Sequence, residues 1–392
     1  MIVLYINPVF LGYRIPFYKY LNELFHGTFF VLYSPKRYIK KGVSDLLPQI
    51  KDALGNNAIE LKKEYIFDTR TRSFTKYDTE KGRKVPFTFG LLKTISRIHP
   101  DVLISEGFYQ WTPLAVIYSF LMHSKLFVGY ERTPHTERNT GWLMTKYRQF
   151  IDLFVCGYLV NGSETKKYLL SIGVSPDKIF IGGMSADGKG LQDGISHFPA
   201  QKRELFKANF KKEIDGIIFL FAGQIIERKG LIYLLEAWKT HVEEYQSDSL
   251  IVIGGGKLLE KYKNEFCNLQ SVHFEGKIPY DQTYKYYAIA DVFILPTLED
   301  NWSLVIPEAM SCGLPVATSI YNGCHVELVK KNINGITFDT YSKESILSAL
   351  EYFHHVDLKA LGENSIKLEK VFDTEHCAKR VFNAINKLTN GK

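Results

Sequence analysis

Two cations and three carboxylates in the second half of this chain have the types and spacing of an anion-binding site. Arg228 and Lys229 end the run Phe219-Leu-Phe-Ala-Gly-Gln-Ile-Ile-Glu-Arg-Lys-Gly230, a buried-type strand followed by a glycine, a basic pair and a helix start. Gly223 lets the backbone come close to a ligand. Arg can grip phosphate oxygens with two parallel hydrogen bonds, and Lys adds a mobile point charge. The bland alternative is that both are merely solvated. Some seventy residues later comes Leu295-Pro-Thr-Leu-Glu-Asp-Asn-Trp-Ser-Leu-Val-Ile-Pro-Glu-Ala-Met-Ser-Cys-Gly-Leu-Pro-Val316. There an apolar strand ends in the acidic turn Glu299-Asp300, and a helix expected from Ser303 carries Glu308. The first N–H groups of that helix, at Ser303, Leu304 and Val305, have no intrahelical acceptor and suit a phosphate. Pro307 falls in the first turn, where a missing N–H costs little. Carboxylates beside a phosphate site offer acceptors for sugar hydroxyls, so the combination points to a nucleotide-sugar site.

Other glycine-rich turns are weaker signals. Ile253-Gly-Gly-Gly-Lys257 lacks dinucleotide spacing, and the chain has no Gly-Lys-Ser/Thr loop. It reads as a tight strand-to-helix turn. Phe274-Glu-Gly-Lys-Ile278 ends a further strand, where the backbone at Lys277 and Ile278 can pair with the edge of a base.

These residues need parallel strands to hold them, and the pattern supplies two sets. In the first half, strands are expected at 2–7, 29–33, 64–68, 102–106, 126–130, 154–160 and 179–181. Helices at 16–24, 89–98, 113–122 and 164–172 separate them. In the second half, strands are expected at 217–222, 250–253, 272–274, 292–295, 315–318 and 335–338. The helices there are 231–244, 258–268, 280–289, 303–311 and 343–352, and residues 374–388 form a last amphipathic helix. Such alternation implies parallel sheets covered on both faces. The polar, glycine-rich stretch 188–199 reads as linker. The expected organisation is a first domain at 1–188, a linker at 189–212, a second domain at 213–373 and a terminal helix at 374–392. Ligands on doubly wound sheets bind at the carboxyl ends of the strands.

With 392 residues, 45% of them apolar and 23% charged, the chain is long enough for two cores. The most apolar run, Leu114 to Met122, is too short for a membrane helix. The amino terminus reads as a first strand instead of a signal peptide. Five scattered cysteines without metal spacing imply reduced thiols and a cytoplasmic protein. The net charge of +7 is uneven: residues 1–200 hold 26 Lys/Arg against 17 Asp/Glu. Between Lys36 and Arg97 there are 15 basic and 7 acidic residues. That excess is either a solvated face or an attraction to an anionic acceptor or membrane surface. No nucleic-acid motif accompanies it.

The stretch from Phe219 to Phe338 resembles the C-terminal domain of retaining GT-B glycosyltransferases of the large group 1 (family 4-like) class, marked by two acidic residues eight apart. The resemblance rests on Gly223, Arg228-Lys229-Gly230, Gly276, the strand ending in Pro296, Glu308-Ala-Met, Gly313-Leu-Pro-Val316, Gly323 and Asn334-Gly335. The N-terminal half is similar more loosely, through Gly12 and the run from Val160 through Gly173 to Asp187. The resemblance implies an α/β GT-B fold, two Rossmann-like domains facing across a cleft, with the last helix returning to the first domain. It further implies that Arg228 and Lys229 hold the donor diphosphate and that Glu308 accepts from ribose hydroxyls. The backbone at Ser303, Leu304 and Val305 would face the distal phosphate. Asp300 stands at the first acidic position, where Glu is usual, with Glu299 beside it. Trp302-Ser303 replaces the commoner Phe-Gly. The N-terminal domain should carry the acceptor: Gly12 allows close backbone approach, and Arg14 can meet an anionic group. Two residues compete for the sugar-contacting position after the fifth strand, Glu131 and His135.

The implied activity is retaining transfer of a sugar from a nucleoside diphosphate, UDP by default, to a hydroxyl of a glycan or lipid-linked acceptor in bacterial surface polysaccharide synthesis. With no Asp-x-Asp pair and cations at the place of a metal, neither metal nor other cofactor is expected. The expected location is the cytoplasm, or the inner face of the plasma membrane as a peripheral protein. Two rivals share the fold: a glycosyltransferase-like binding subunit that has lost turnover, and a nucleotide-sugar epimerase.

Overall fold

The computed structural model describes residues 1–10, 12–35, 46–62, 64–69, 83–88, 90–182, 184–210 and 216–390. Much of the basic tract between Lys36 and Arg97, notably 36–45 and 70–82, lies outside the described residues. The chain divides into two compact units, Met1–Ser185 with Thr374–Lys392, and Ala186–Asp373.

The first unit contains β1 (Val3–Ile6), β2 (Phe29–Tyr33), β3 (Ala58–Glu60), β4 (Tyr65–Thr69), β5 (Arg83–Phe87), β6 (Val102–Glu106), β7 (Lys125–Tyr130), β8 (Gly157–Val160) and β9 (Ile179–Ile181). Seven of these form one sheet in the order β3-β2-β1-β6-β7-β8-β9. All its pairings are parallel. Successive side chains on a strand point to opposite faces. Thus Leu4 and Ile6 enter one core layer with Leu103, Leu126 and Val128. Val3 and Tyr5 enter the other with Phe29, Val31, Ile104 and Phe127. The terminal helix Thr374–Asn390 closes this second layer with Cys377, Ala378, Val381, Ala384 and Ile385. It belongs to the first unit, the place the family resemblance implies for it, and Phe382 meets Phe25 at 4.9 Å between ring centroids.

One expectation changes here, and two strands add to those expected. The strand expected at 64–68 runs Tyr65–Thr69 and joins no parallel sheet; it pairs antiparallel with β5. Its partner, Arg83–Phe87, opens with two cations and so carried no apolar signal. The short edge strand β3, only 3 residues long and partly exposed, gave none either.

The second unit contains β10 (Ile218–Ala222), β11 (Ser249–Ile253), β12 (Val272–Gly276), β13 (Val292–Leu295), β14 (Val316–Ser319) and β15 (Gly335–Phe338). They form a parallel sheet in the order β12-β11-β10-β13-β14-β15. The order reverses at β10, the first strand of the set, so the loops after β10 and β13 flank the switch point where such sheets bind ligands. Every residue of β10, β11 and β13 is buried, which explains why these strands read as unbroken apolar runs.

Residues 188–199, expected as linker, are mostly helical: Gly188–Ser196 is a helix within the second unit. Asp187 caps it by accepting from the Gly190 N–H at 3.1 Å. Its glycines serve close packing, since a Cβ at Gly188 would sit 2.7 Å from Ser311 Cβ and one at Gly194 2.7 Å from Tyr284. A helix that buries its glycine face has few of the apolar residues by which helices are read.

Candidate functional site

The second unit brings its predicted cations and carboxylates together at the carboxyl ends of β10 and β13. After β10 the chain passes Gly223 and makes a 3-10 turn, Glu227–Lys229, ending on Gly230 at φ +65°. A Cβ there would lie 2.0 Å from the Pro296 carbonyl oxygen, so glycine alone allows this turn to rest on the end of β13. The Leu298 N–H donates to the Arg228 carbonyl at 2.8 Å, and the Thr297 hydroxyl donates to it at 3.1 Å. The two loops are thereby fixed to each other by backbone.

Three charged groups meet across this joint. Lys229 Nζ lies 2.5 Å from Asp300 Oδ2, and Arg228 Nη1 lies 3.5 Å from the same oxygen. Arg228 also donates to the Glu299 carbonyl at 2.8 Å. Burial works against the charge on Asp300, but Lys229 and then Arg228 outweigh it and hold the carboxyl below its usual range. One carboxylate oxygen therefore faces two cations. Glu299 adjoins them with its side chain buried.

Asn322, which sequence reasoning missed, pins the acidic turn from below. It is fully buried, donates to Thr318 Oγ1 at 3.1 Å and accepts from the Ser303 N–H at 3.4 Å. A bridge joins Asp300 to Asn322, and the Gly323 N–H donates to the Asp300 carbonyl at 2.9 Å. The only trace in the sequence was an Asn-Gly pair just after a strand.

The helix starts at Val305, two residues later than expected, and runs to Ser311. The Val305 N–H has no intrahelical acceptor, whereas the Ile306 N–H donates to the Ser303 carbonyl at 3.1 Å and the Glu308 N–H to the Leu304 carbonyl at 3.1 Å. Glu308 sits one turn in. Its carboxylate accepts from the Tyr280 hydroxyl at 3.1 Å and from the Tyr287 hydroxyl at 3.0 Å. Burial pushes Glu308 up to about 7, against the opposing pull of the Tyr287 and Tyr280 hydrogen bonds. Burial likewise raises both phenols, with the Glu308 charge adding to it. Neither tyrosine was singled out from sequence, although their spacing of seven puts both on one side of a helical segment. Lys277 is exposed and Ile278 half-buried just past the end of β12.

The first unit holds the remaining candidates. Gly12 opens a 3-10 turn that ends on Arg14. The Arg14 guanidinium is taken up by an ion pair with Glu106 and donates to the Tyr5 hydroxyl at 2.9 Å. Of the two competing residues, Glu131 is exposed and its carbonyl accepts from the Thr165 hydroxyl at 3.0 Å. His135 is half-buried, and its carbonyl accepts from Arg138. A hollow of about 440 Å³ in this unit, bordered by His99, Met122 and Lys125, lies at the amino ends of β6 and β7, the wrong edge of the sheet for these loops.

Among the described residues one group has the chemistry of metal ligands: His241, Asp248 and His354. Both imidazoles meet Asp248 Oδ2 through Nε2 at 2.8 Å, and Asp248 Oδ1 accepts from the Ile217 N–H at 2.7 Å. These are hydrogen-bond distances. The triad ties together the starts of β10 and β11, opposite the edge that carries Arg228 and Glu308.

The family model described as "Glycosyl transferases group 1" matches residues 202–367. An uncharacterized glycosyltransferase of Methanocaldococcus jannaschii is 30% identical over 148 residues, 36% of this chain and 37% of that protein. The Escherichia coli UDP-Gal:alpha-D-GlcNAc-diphosphoundecaprenol alpha-1,3-galactosyltransferase is 28% identical over 158 residues, 37% of this chain and 39% of that protein. The chain thus spans about two-fifths of the length of these curated relatives. Anabaena HepE in complex with UDP has a similar structure, with a TM-score of 0.73 at 14% identity over 99% of this chain and 100% of that one. At that identity the likeness establishes the fold, which is GT-B: two Rossmann-like domains with parallel sheets.

Proposed function

From the premise that this chain carries a glycosyl transferases group 1 domain at residues 202–367, we propose that it transfers a sugar from a nucleoside diphosphate to an acceptor hydroxyl with retention of anomeric configuration. The observation that carries this reading is the convergence of Arg228 and Lys229 on the turn that leads into the Glu308 helix. A diphosphate leaving group gains charge as the glycosidic bond breaks, and cations fixed beside it stabilise that charge most in the transition state. In this reading the diphosphate oxygens displace Asp300 from the two cations. Asp300, with Glu299, then turns to the hydroxyls of the donor sugar. The first-turn N–H groups at Leu304 and Val305 complete the phosphate shell. The ribose displaces the half-exposed Tyr280 from Glu308, whose second oxygen stays held by Tyr287.

UDP is the favoured nucleotide. The galactosyltransferase relative is named for a UDP-sugar and a diphosphoundecaprenol acceptor, and the Anabaena structure holds UDP. The galactosyltransferase relative supports a glycan or lipid-linked acceptor, bound by the first domain near Gly12, Arg14, Glu131 and His135. The leaving phosphate takes the acceptor proton in a front-face attack. No metal takes part, because Arg228 and Lys229 supply the positive charge.

The test pairs binding with turnover. Arg228→Ala should lower kcat about 100-fold, some 3 kcal/mol in the barrier. Glu308→Ala should weaken UDP binding in calorimetry while the fold, read by circular dichroism, is kept. Wild-type turnover in either variant would remove the site assignment. Asp300 in place of the usual Glu, and already bound by both cations, favours one second reading: a subunit that binds nucleotide without transfer. UDP binding without product across a panel of acceptors would select it.

A further inference from the structure

The first unit exposes an aromatic and aliphatic face that its own core does not use. β6, β7, β8 and β9 are neighbours in one direction, so right-handed crossovers place their connecting helices on the same face of the sheet. Two of these helices are Thr112–Met122 and Trp142–Asp152. The first is the most apolar run in the sequence, yet Phe120 and Leu121 are each 66% exposed. On and just past the second, Trp142 is 71% exposed, Leu143 65%, Phe150 55% and Leu153 75%. The two sets are continuous. The Phe154 ring meets Phe120 at 6.0 Å and Phe150 at 5.4 Å. Large apolar side chains clustered in water mark a docking surface.

The charges on this face choose the occupant. Lys146 is exposed one turn from both Trp142 and Phe150, and exposed Lys125 follows closely on Met122. Arg148 is buried against Glu137 at 2.9 Å. The one acid on the two helices, Asp152, is paired with Lys178 at 3.2 Å. A self-complementary dimer would set Lys146 against its own copy with no unpaired acid on either helix to meet it; exposed Asp101 lies beside Lys125 at the other end of the face. An anionic bilayer suits them: phenylalanine and leucine enter the acyl boundary, tryptophan sits at headgroup level, and lysine reaches lipid phosphates. No helix among the described residues is long and apolar enough to cross a membrane.

We propose that this face, built from the helices Thr112–Met122 and Trp142–Asp152, docks the protein on an anionic lipid surface. The assignment does not rest on sugar transfer, because vesicle binding needs neither donor nor acceptor. The test is sedimentation of the full chain with phosphatidylcholine vesicles, with and without phosphatidylglycerol. The wild type should sediment with the phosphatidylglycerol vesicles. Phe150→Ser with Leu153→Ser should weaken binding at least tenfold with only a small fall in Tm, since both side chains are more than half exposed. Lys125→Glu with Lys146→Glu should abolish the preference for phosphatidylglycerol and gives a readout independent of the apolar variant. No sedimentation by the wild type, or wild-type sedimentation by both variants, would overturn the proposal. So would a wild-type dimer in analytical ultracentrifugation that the serine variant dissociates, because the face would then belong to a second copy.

Discussion

At the residue scale, two carboxylates in the second unit are pushed above the usual carboxylate range by their surroundings. Burial pushes both Glu308 and Glu369 up to about 7; Glu369 has the charge of Asp373 as a further cause, and one of its oxygens has no hydrogen-bond partner. A raised folded-state value means that the native chain keeps a proton that the unfolded chain has already released. Stability from such a group is fully present below about pH 4.5 and is lost as pH rises through about 7, by up to about 1.4 kcal/mol per unit and group. Glu369→Gln should therefore match the wild type at pH 4 and exceed it at pH 8 by roughly 2–3 kcal/mol, read from urea unfolding at the two pH values. Glu369 is the cleaner probe, because Glu308 belongs to the proposed nucleotide site. The candidate-site residues visible in the sequence were those with chemistry in their own names and a fixed local spacing: Arg228, Lys229, Asp300 and Glu308. Asn322, Tyr280 and Tyr287 act on them through the fold. Their partners lie 19 to 28 residues away, a distance that no local pattern measures.

At the scale of elements, the second unit was more legible than the first. Its strands are buried on both faces, so β10, β11 and β13 appear as apolar runs ended by glycine or polar turns. The first unit hid its short edge strand β3, the basic strand β5 and the helices Leu46–Leu54 and Trp142–Asp152. The last of these escaped because it buries Arg148 while exposing Trp142, Leu143 and Phe150, which inverts the usual contrast. Turns between strand and helix depend on backbone geometry that single residues control. The Gly254 N–H donates to the Gly276 carbonyl at 2.7 Å, and φ at Gly254 is +140°. A Cβ at that position would lie 1.8 Å from the Gly223 carbonyl oxygen. Gly254→Ala should cost about 3 kcal/mol in denaturant unfolding, from strain and overlap together. It should also weaken UDP binding, because the displaced loop is the one that leads to Arg228. Gly255→Ala, whose Cβ would meet only the Lys277 side chain at 3.3 Å, is the control that should stay near wild-type stability.

At the scale of the whole molecule, the first unit is made from both ends of the described chain. Residues 374–390 cover the core layer formed by Tyr5, Phe29, Phe127 and the helix Ile15–Leu24. Ending the chain at Asp373 removes the buried side chains of Cys377, Ala378, Val381, Ala384 and Ile385. That loss should exceed about 5 kcal/mol, most of a domain's stability. Calorimetry of the shortened protein should show the first unit's transition gone and the second unit's kept; two intact transitions would contradict this arrangement. The same closure sets an order of events on the ribosome. The second unit has all its residues once Asp373 is made, whereas the first, begun earlier, has to wait for seventeen more. The half that starts first is the half that finishes last. Until then its unfinished hydrophobic layer is open to chaperones, to misfolding partners and to any fusion that delays the final helix.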